Sequence, residues 1–439
     1  PIRAYESMAP LLDKTRKGTQ NVFWPSSIKW FAKSSGTTNS KSKFIPVSEE
    51  AIEYCHFNAG KDMLCLFVNN NPDTKLFSGK SLRLGGSSAI YEDNDTYFGD
   101  LSAIIIENLP FWADNRSAPK QKTALMSEWE EKMKAIVEET IHIDITSLAG
   151  VPSWMLVLLY KVLEKTGKKN ILEVWPNLEV YFHGGVNFSP YREQFQKLIP
   201  SSEFKYYETY NASEGFFAIQ DQNDSDELLL MLDYGIFYEF IPMSEFQGED
   251  SKAMPLEQVT CNTNYAMVIT TNSGLWRYLI GDTVKFTSLD PYRIKITGRT
   301  KHFINVFGEE LIVENAEQAL KIACKKSDVW VKEYTVAPVF MEGNAKGRHE
   351  WLIEFNRAPE CLLTFSDYLD KALQAINSDY EAKRYKNMTL TAPKVLISRK
   401  DLFYDWLKSK EKLGGQHKIP RLSNSRNFLE ELLELNQNT

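Results

Sequence analysis

Apolar residues recur at helical spacing in three stretches of the first 170 residues. Residues 48–68 begin with Ser48, a residue type that caps helix N-termini, and carry apolar side chains three or four positions apart. Residues 122–141 show the same amphipathic pattern. Residues 152–167 predict a third helix, because proline suits the first helical turn and glycine suits the C-terminal end.

Strand patterns then alternate with a helix. Residues 178–185, "LEVYFHGG", predict a strand that stops at two glycines. Residues 189–199 predict a helix with Ser189 as N-cap and Pro190 at its first position, and residues 204–215 predict a strand that runs into a turn. This order is typical of an α/β sheet with functional loops at its strand ends.

The pattern changes twice more towards the C-terminus. Short strands separated by turn residues occupy residues 227–298 and indicate a β-rich subdomain. From about residue 302, helices and strands alternate over the length of a normal α+β domain. The 439 residues exceed one ordinary core, so we expect more than one domain. From the order of the predicted elements we predict an α/β protein. Its large N-terminal domain covers residues 1–298 and includes the β-rich subdomain, the boundary lies at 299–301, and a small mobile α+β domain covers 302–439.

Composition narrows the classes of protein. The chain is 43% hydrophobic and 25% charged, which is ordinary for a globular protein, and its net charge of −7 argues against a dedicated nucleic-acid binder. The five cysteines are scattered without CxxC spacing, which indicates reduced thiols rather than a zinc site. No apolar run approaches the length of a membrane span. We therefore expect a cytoplasmic protein without nucleic-acid or membrane partners. Because no initiator Met is present, we also expect some native N-terminal residues to be missing.

The first candidate motif is "KSSGTTNSKSKFIP", residues 33–46. Its glycine lets the backbone approach a ligand, and its N–H groups and hydroxyls can cradle phosphate oxygens. It lacks Walker spacing, and taken alone a solvated turn explains it better. The residues concerned are Ser34, Ser35, Gly36, Thr37 and Thr38, with Lys41 or Lys43 as the source of positive charge.

Two further motifs lie at the ends of the predicted α/β strands. Gly184 and Gly185 let a flat ring lie against the backbone, although a tight turn explains them equally well. In "YETYNASEGFF", Tyr210 can stack on a base, Ser213 can position a phosphate and Glu214 can bind Mg²⁺. A turn with a solvated glutamate is the plain alternative.

His183, just before the glycine pair, is interpreted as a hydrogen-bonded structural residue rather than a base.

The last two motifs supply charge. Asp282 follows Gly281 at a predicted strand end, where a carboxylate can accept both ribose hydroxyls, and Arg299 can contact ribose or phosphate. Lys418, in "LGGQHKIPRLSNSR", follows a glycine pair. A mobile lysine there can stabilise charge that develops between a carboxylate and an α-phosphate. Ordinary surface charges would also explain Asp282 and Arg299, and for any lone lysine a solvated side chain is far commoner than a catalytic one.

In this order the five motifs resemble the adenylate-forming superfamily of acyl-CoA synthetases, firefly luciferase and peptide-synthetase adenylation domains. More closely, the chain resembles the Gretchen Hagen (auxin-responsive) family of acyl acid–amido synthetases, from about Pro1 to the C-terminus. Where the superfamily usually has a glycine after its Thr pair, this chain has Asn39 and Ser40, and the spacing of Lys43 is that of the amido synthetases. The matching stretches are "SSGTT", "YNASEG", "YLIGD", "GRTKHFINVFGEEL" and "GGQHKIPR".

The resemblance implies ATP and Mg²⁺ as cofactors and assigns roles to single residues. Ser34, Ser35, Gly36, Thr37, Thr38 and Lys43 would hold the ATP phosphates together with Ser213, and Gly184 and Gly185 would flank adenine with Tyr210 nearby. Glu214 would place Mg²⁺, Asp282 would bind ribose with Arg299 close by, Lys301 would be the hinge and Lys418 the adenylation lysine.

The implied reaction has two halves. A carboxylic acid is adenylated with release of pyrophosphate, and the acyl group then passes to an amine, expected to be an amino acid. The small domain would rotate about Lys301 between them, so that residues near Gly308, Glu309 and Glu310 face the site. Two alternatives stay open: an acyl-CoA ligase, which would form a thioester, and a non-catalytic nucleotide- or acyl-binding protein. The presence of both Lys418 and Glu214 argues against the latter.

Overall fold

The computed structural model describes residues 1–35, 42–85, 90–93, 95–186, 188, 191–300, 303–341, 345–387, 389–409 and 420–437. The chain divides into two compact units. The first unit comprises Pro1–Ser34 and Lys43–Thr300, and the second unit comprises Ser35–Ser42 and Lys301–Thr439. Each is described by itself.

The first unit mixes helices and strands throughout. Its first half contains α1 (Tyr5–Arg16), β1 (Trp30–Ser35), β2 (Ser42–Val47), α2 (Asn58–Asn70), β3 (Lys80–Leu84), β4 (Tyr91–Asp93), β5 (Thr96–Gly99), α3 (Leu101–Glu107), α4 (Phe111–Asn115), β6 (Ser117–Ala118), α5 (Gln121–Ala124), α6 (Trp129–Thr140) and β7 (Ile145–Gly150). Its second half contains α7 (Pro152–Thr166), β8 (Val180–Gly184), α8 (Arg192–Leu198), β9 (Lys205–Ala212), β10 (Gly215–Ile219), β11 (Leu228–Leu230), β12 (Ile236–Pro242), β13 (Met254–Pro255), β14 (Asn264–Thr271), β15 (Tyr278–Leu289) and β16 (Tyr292–Arg299).

Local signals set several of these helices. Helix α7 has Pro152 in its first turn and ends at Gly167, which adopts a left-handed φ of 67° as the prediction requires. The predicted cap Ser48 accepts a hydrogen bond from the Ala51 amide at 3.0 Å, but the first two turns, Ala51–Phe57, are π-helical before α2 begins. Residues 122–141 form two helices, α5 and α6, rather than one.

A small sheet carries the strands on either side of the predicted phosphate loop. Its order among the described residues is β2-β1-β5-β4, with β1 and β5 parallel. Ile28, Phe31 and Phe98 form its buried apolar contacts. The loop motif therefore connects two adjacent strands, which fixes both of its ends.

One continuous sheet joins the α/β segment to the β-rich segment. In the described chain its order is β13-β12-β14-β15-β16-β11-β10-β9-β8-β7-β3-β6. The pairs from β9 to β6 are parallel, whereas those from β9 to β13 are antiparallel. The β-rich strands thus extend the α/β sheet and share its core.

This sheet bends back on itself around an aromatic core. Strands β9 and β15 are four inter-strand steps apart, which would separate them by roughly 19 Å in a flat sheet. Nevertheless the Tyr210 hydroxyl of β9 lies 2.7 Å from the Asp282 carboxylate of β15. Within the bend, Tyr210 packs on Phe217 with ring centroids 4.9 Å apart. The curvature is what brings residues from distant strands together.

The second unit is an α+β arrangement. Its elements are β17 (Phe303–Ile304), β18 (Leu311–Ile312), α9 (Val313–Ser327), β19 (Trp330–Val339), β20 (Arg348–Arg357), α10 (Leu362–Ile376), α11 (Ser378–Arg384), β21 (Lys394–Ile397), α12 (Leu402–Ser409) and α13 (Asn427–Gln437). Strands β19, β20 and β21 form a sheet in that order, and α12 and α13 bury an apolar cluster against it that includes Leu352, Trp406 and Leu429.

The hypothesis that residues near Gly308, Glu309 and Glu310 face the site stays a prediction, but the side chain of Glu309 itself has partners inside the second unit. Its carboxylate is fully buried, 2.8 Å from Nε2 of His349, and accepts the Phe307 amide at 2.6 Å. Both partners belong to the second unit, so this side chain is part of that unit's own packing.

We predict opposite effects for alanine at two glycines of the first unit. A Cβ at Gly79 would lie 2.4 Å from the Asp144 carbonyl oxygen, so Gly79→Ala should destabilise the fold by about 1–3 kcal/mol. A Cβ at Gly60, in α2, meets no atom within 4 Å, so Gly60→Ala should stabilise it by about 1 kcal/mol. Urea unfolding checks both, and equal stability of the two variants would contradict the geometry.

Candidate functional site

The centre of the candidate site is a buried carboxylate. Asp282 is only 8% exposed, and both of its oxygens are engaged. Nε of Arg299 lies 2.9 Å from Oδ1, and the Tyr210 hydroxyl donates to Oδ2 at 2.7 Å. The guanidinium and the phenol compensate the buried charge, which would otherwise be costly.

A bulge in β15 orients Asp282. The sequence suggested that the strand ends here, but β15 continues to Leu289. Its register with β14 shifts between Ala266 and Val268, opposite Gly281, whose φ of 93° is left-handed. Asp282 itself pairs with Arg299 on β16. Bulges of this kind re-aim side chains at functional sites.

Glu214 lies in the two-residue turn between β9 and β10, together with Ser213. Its Oε1 accepts a hydrogen bond from the Tyr278 hydroxyl at 3.3 Å. Tyr278 is fully buried at the start of β15, so the turn is tied to the same strand that carries Asp282.

Tyr210 is positioned differently from the sequence hypothesis of a stacking ring. The residue is only 5% exposed, and its ring packs in the core. Burial, followed by the negative charge of Asp282, raises the pKa of its phenol well above the ordinary value. The phenol is therefore a protonated donor to Asp282 at neutral pH.

The glycine pair borders the strand that carries Tyr210. Gly184 pairs with Thr209, and a Cβ at Gly184 would lie 2.5 Å from the Thr209 carbonyl oxygen. Gly185 has a left-handed φ of 81°. Close strand packing and a turn thus require both glycines, and the predicted adenine contact stays a prediction.

His183 is buried beside the glycine pair. Its ring stacks on Phe188 with centroids 4.0 Å apart. Burial, assisted by the positive charge of Arg192, lowers its pKa to about 3. A ring that stays neutral and packed in this way fits a structural role, but the predicted hydrogen bond is not seen at Nδ1, which has no partner among the described residues.

Lys43 lies near the ring of Tyr5. Its ammonium lies 5.8 Å from the centre of the Tyr5 ring, and the Tyr5 hydroxyl accepts the Phe44 amide at 2.9 Å. Tyr5 is also among the groups that raise the pKa of Tyr278, although burial and Glu214 dominate. The N-terminal segment thus contacts both residues, through Tyr5 at Lys43 and through the bridge of Arg3 at Tyr278.

The structure brings together Asp282, Arg299, Tyr210, Glu214 and Ser213 in the first unit. The roles predicted for the residues of the phosphate loop, the hinge and the C-terminal lysine are not tested by the structure. Ser34 and Ser35 are described only in their backbone, as part of β1, and Gly36, Thr37, Thr38, Lys301 and Lys418 lie outside the described residues.

The sequence reasoning missed Tyr278 and Tyr5. One signal was available: a tyrosine at a buried strand position needs a partner for its hydroxyl. In "RYLIGD", Tyr278 is such a residue, only four positions before Asp282.

Glu214 has a carboxylate that could take part in a magnesium site. Within the described ranges, no cluster of three or more His, Cys, Asp or Glu side chains could hold a metal ion. Mg²⁺ commonly uses one or two carboxylates together with substrate phosphates, and Glu214 can supply one of them.

Comparison with known proteins decides the family. The GH3 family N-terminal domain matches residues 1–204, the GH3 family central domain matches 229–299, and the GH3 family C-terminal domain matches 314–427. The chain belongs to the GH3 family. This is the Gretchen Hagen family that the motifs indicated.

Curated relatives of this GH3 chain include plant ligases. The 4-substituted benzoates-glutamate ligase GH3.12 of Arabidopsis thaliana is 22% identical, with 98% of this chain and 88% of that protein covered. The indole-3-acetic acid-amido synthetase GH3.3 of the same plant is also 22% identical, over 57% of this chain and 44% of its own length.

Solved structures share the fold. The AtGH3.15 acyl acid amido synthetase in complex with 2,4-DB has a TM-score of 0.61 at 15% identity, covering 99% of this chain and 87% of that chain. A 2-hydroxyisobutyryl-CoA ligase has a TM-score of 0.57 at 14% identity, covering 100% and 83%. In the part of this GH3 chain that the structure describes, no helix has the length and apolar character to cross a bilayer.

We predict that His183 makes the fold sensitive to acid. Its folded pKa of about 3 lies below the unfolded value of 6.5, so the unfolded chain binds more protons as pH falls. Its contribution is complete above pH 6.5 and should be lost by roughly 1.4 kcal/mol per pH unit below it. His183→Phe should flatten this slope in unfolding measured at about pH 7 and about pH 5.

The matched control is His142→Asn, at an exposed histidine. It should keep the wild-type slope, and an equally acid-sensitive His183→Phe variant would exclude His183 as the cause.

Proposed function

We propose that this GH3 chain is an ATP-dependent acyl-acid amido synthetase. The observation that carries the proposal is the buried Asp282 carboxylate. One of its oxygens contacts Arg299 and the other contacts Tyr210. Because a carboxylate oxygen has two lone pairs, each can accept one further hydrogen bond. Two parallel acceptor sites suit the two hydroxyls of a ribose. Membership of a family whose matched members are named as acid–amino acid ligases supports the reaction class.

In the first half-reaction, a carboxylate oxygen of the acid attacks the α-phosphorus of ATP. A new P–O bond forms, the bond to pyrophosphate breaks, and the product is an acyl-adenylate. Asp282 and Arg299 hold the ribose, and the hydroxyl loop from Ser34 to Thr38 holds the phosphates. Lys418 neutralises the charge that develops between the reactants, which is typically worth roughly 10²–10³ in rate.

Glu214 is the proposed ligand of Mg²⁺, with its orientation fixed by the Tyr278 hydroxyl. When bound, the metal supplies positive charge to the phosphate oxygens.

In the second half-reaction, the nitrogen of an amine attacks the acyl carbon. The C–N bond forms, the C–O bond to AMP breaks, and the amine loses a proton. Rotation of the residues after Lys301 would exchange the groups that face the acyl-adenylate between the two steps.

The relatives support the choice of substrates. Their names combine an acyl acid, such as a substituted benzoate or indole-3-acetic acid, with an amino acid such as glutamate. We propose a carboxylic acid and an amino acid as substrates of this chain. The fold match to a CoA ligase keeps a thioester product as the second candidate. We place the reaction in the cytoplasm, where the five free thiols would stay reduced.

Acid-dependent ATP–pyrophosphate exchange tests the proposal, using a panel of aryl and alkyl acids. Wild type should exchange with at least one acid and, with amino acids present, form an amide visible by mass spectrometry. Lys418→Ala should lower exchange by roughly 10²–10³ while still binding ATP. Lys371→Ala, at an exposed lysine paired with Asp367, is the matched control. A CoA thioester as the sole product would favour the second candidate, and exchange with no acid would refute the proposal.

Asp282→Asn should weaken ATP binding by roughly ten-fold, because a neutral amide accepts ribose hydroxyls less strongly than a carboxylate. Asp221→Asn is the control, since Asp221, in the loop after β10, forms a partly buried pair at 2.7 Å with Arg293 of β16. Calorimetry should show normal ATP affinity for the control. Equal affinities of both variants for ATP would count against Asp282 as the ribose ligand.

A further inference from the structure

Two tyrosines connect the two acidic motifs in a crossed pattern. Tyr210 precedes Glu214 by four residues, and Tyr278 precedes Asp282 by four residues. The hydroxyl of Tyr210 nevertheless donates to Asp282, and the hydroxyl of Tyr278 donates to Glu214. Each phenol thus serves the carboxylate of the other motif.

The contact of Tyr210 limits how Asp282 can rotate. Arg299 holds Oδ1 at 2.9 Å, and the Tyr210 hydroxyl holds Oδ2 at 2.7 Å, so the carboxylate plane is fixed from two sides. Removal of the phenolic hydroxyl would leave one anchor and let the plane turn.

The contact of Tyr278 acts on a less constrained group. Glu214 is half-buried in a two-residue turn, and its bond from Tyr278 is longer, at 3.3 Å. A weaker bond to a turn residue should have a smaller effect than the bond to Asp282.

Both phenols act as donors in these contacts. An ionised carboxylate has no proton to offer and can only accept hydrogen bonds, so each hydroxyl directs its proton to a carboxylate oxygen.

We propose that Tyr210 and Tyr278 are crossed positioning residues: Tyr210 orients Asp282 for ribose, and Tyr278 orients Glu214 for the metal that accompanies the phosphates. This inference rests on the proposed function. It gives Tyr210 a role through its hydroxyl, which differs from the stacking of its ring on adenine.

The first arm of the test compares ATP with 2′,3′-dideoxy-ATP by calorimetry, at saturating Mg²⁺ and without a carboxylic acid. Wild type should prefer ATP, because only ATP offers hydroxyls to Asp282. Tyr210→Phe keeps the ring and removes the hydroxyl, so this preference should fall by roughly ten-fold. A role limited to ring stacking predicts an unchanged preference.

The second arm measures ATP affinity in EDTA and at saturating Mg²⁺. Tyr278→Phe should reduce the gain in affinity from Mg²⁺ by roughly three-fold while the preference for ATP over the dideoxy analogue stays at the wild-type level. Tyr210→Phe should show the converse. If each tyrosine instead affected the ligand of its own motif, the crossed assignment would be wrong.

Tyr238→Phe is the matched control. Tyr238 lies in the same core cluster, is 3% exposed, and its hydroxyl has no hydrogen-bond partner within the described residues. Both ratios should be unchanged in this variant.

A double substitution separates positioning from a general loss of structure. In an Asp282→Asn background, Tyr210→Phe should no longer change the ATP preference, because its effect passes through the carboxylate. An equal effect in both backgrounds would overturn the inference.

The two levels of proposal fail differently. If wild type neither binds ATP nor exchanges pyrophosphate, the proposed function fails and this inference falls with it. If wild type does both and Tyr210→Phe keeps the full ATP preference, only the inference on positioning fails.

Discussion

Burial of the Asp282 charge is the constraint on which the first unit depends. A carboxylate at 8% exposure must be compensated, and its partners come from two other strands, Tyr210 on β9 and Arg299 on β16. Because β9 and β15 are far apart in the order of the sheet, the contact between Tyr210 and Asp282 exists only if the sheet bends. The bend in turn encloses the aromatic core, so the same geometry that buries the charge gives the unit its apolar interior.

Glycines make this geometry possible at the points of closest approach. Gly281 provides the left-handed φ that turns Asp282 towards its partners, and Gly184 lets β8 approach the Thr209 carbonyl beside Tyr210. A side chain at Gly184 would push β8 away from β9, whereas a side chain at Gly281 would strain the left-handed backbone next to Asp282. The site is therefore built from backbone shape as much as from charged side chains, as in other sites where ligands approach strands closely.

Local signals allowed some of this structure to be predicted. The limits of α7 follow from Pro152 and Gly167, and Asp282 and Arg299 were identified one by one as nucleotide ligands, a role that stays a prediction. The attachment of strands β12–β16 to the sheet of the α/β segment could not be predicted, because it depends on the pairing of β11 with β16, sixty and more residues apart. The direction of the Tyr278 hydroxyl could not be predicted either, because it depends on how the large sheet bends.

The large sheet ends in very short strands on both sides. β13 has two residues and includes Pro255, whereas β6 has two residues and is followed by Pro119. Proline has no N–H to offer, and two residues present few free backbone groups. A sheet this wide would otherwise expose long borders to which another polypeptide could add. The short edge strands instead disfavour pairing with another chain, so the width of the sheet does not make it prone to edge-to-edge aggregation.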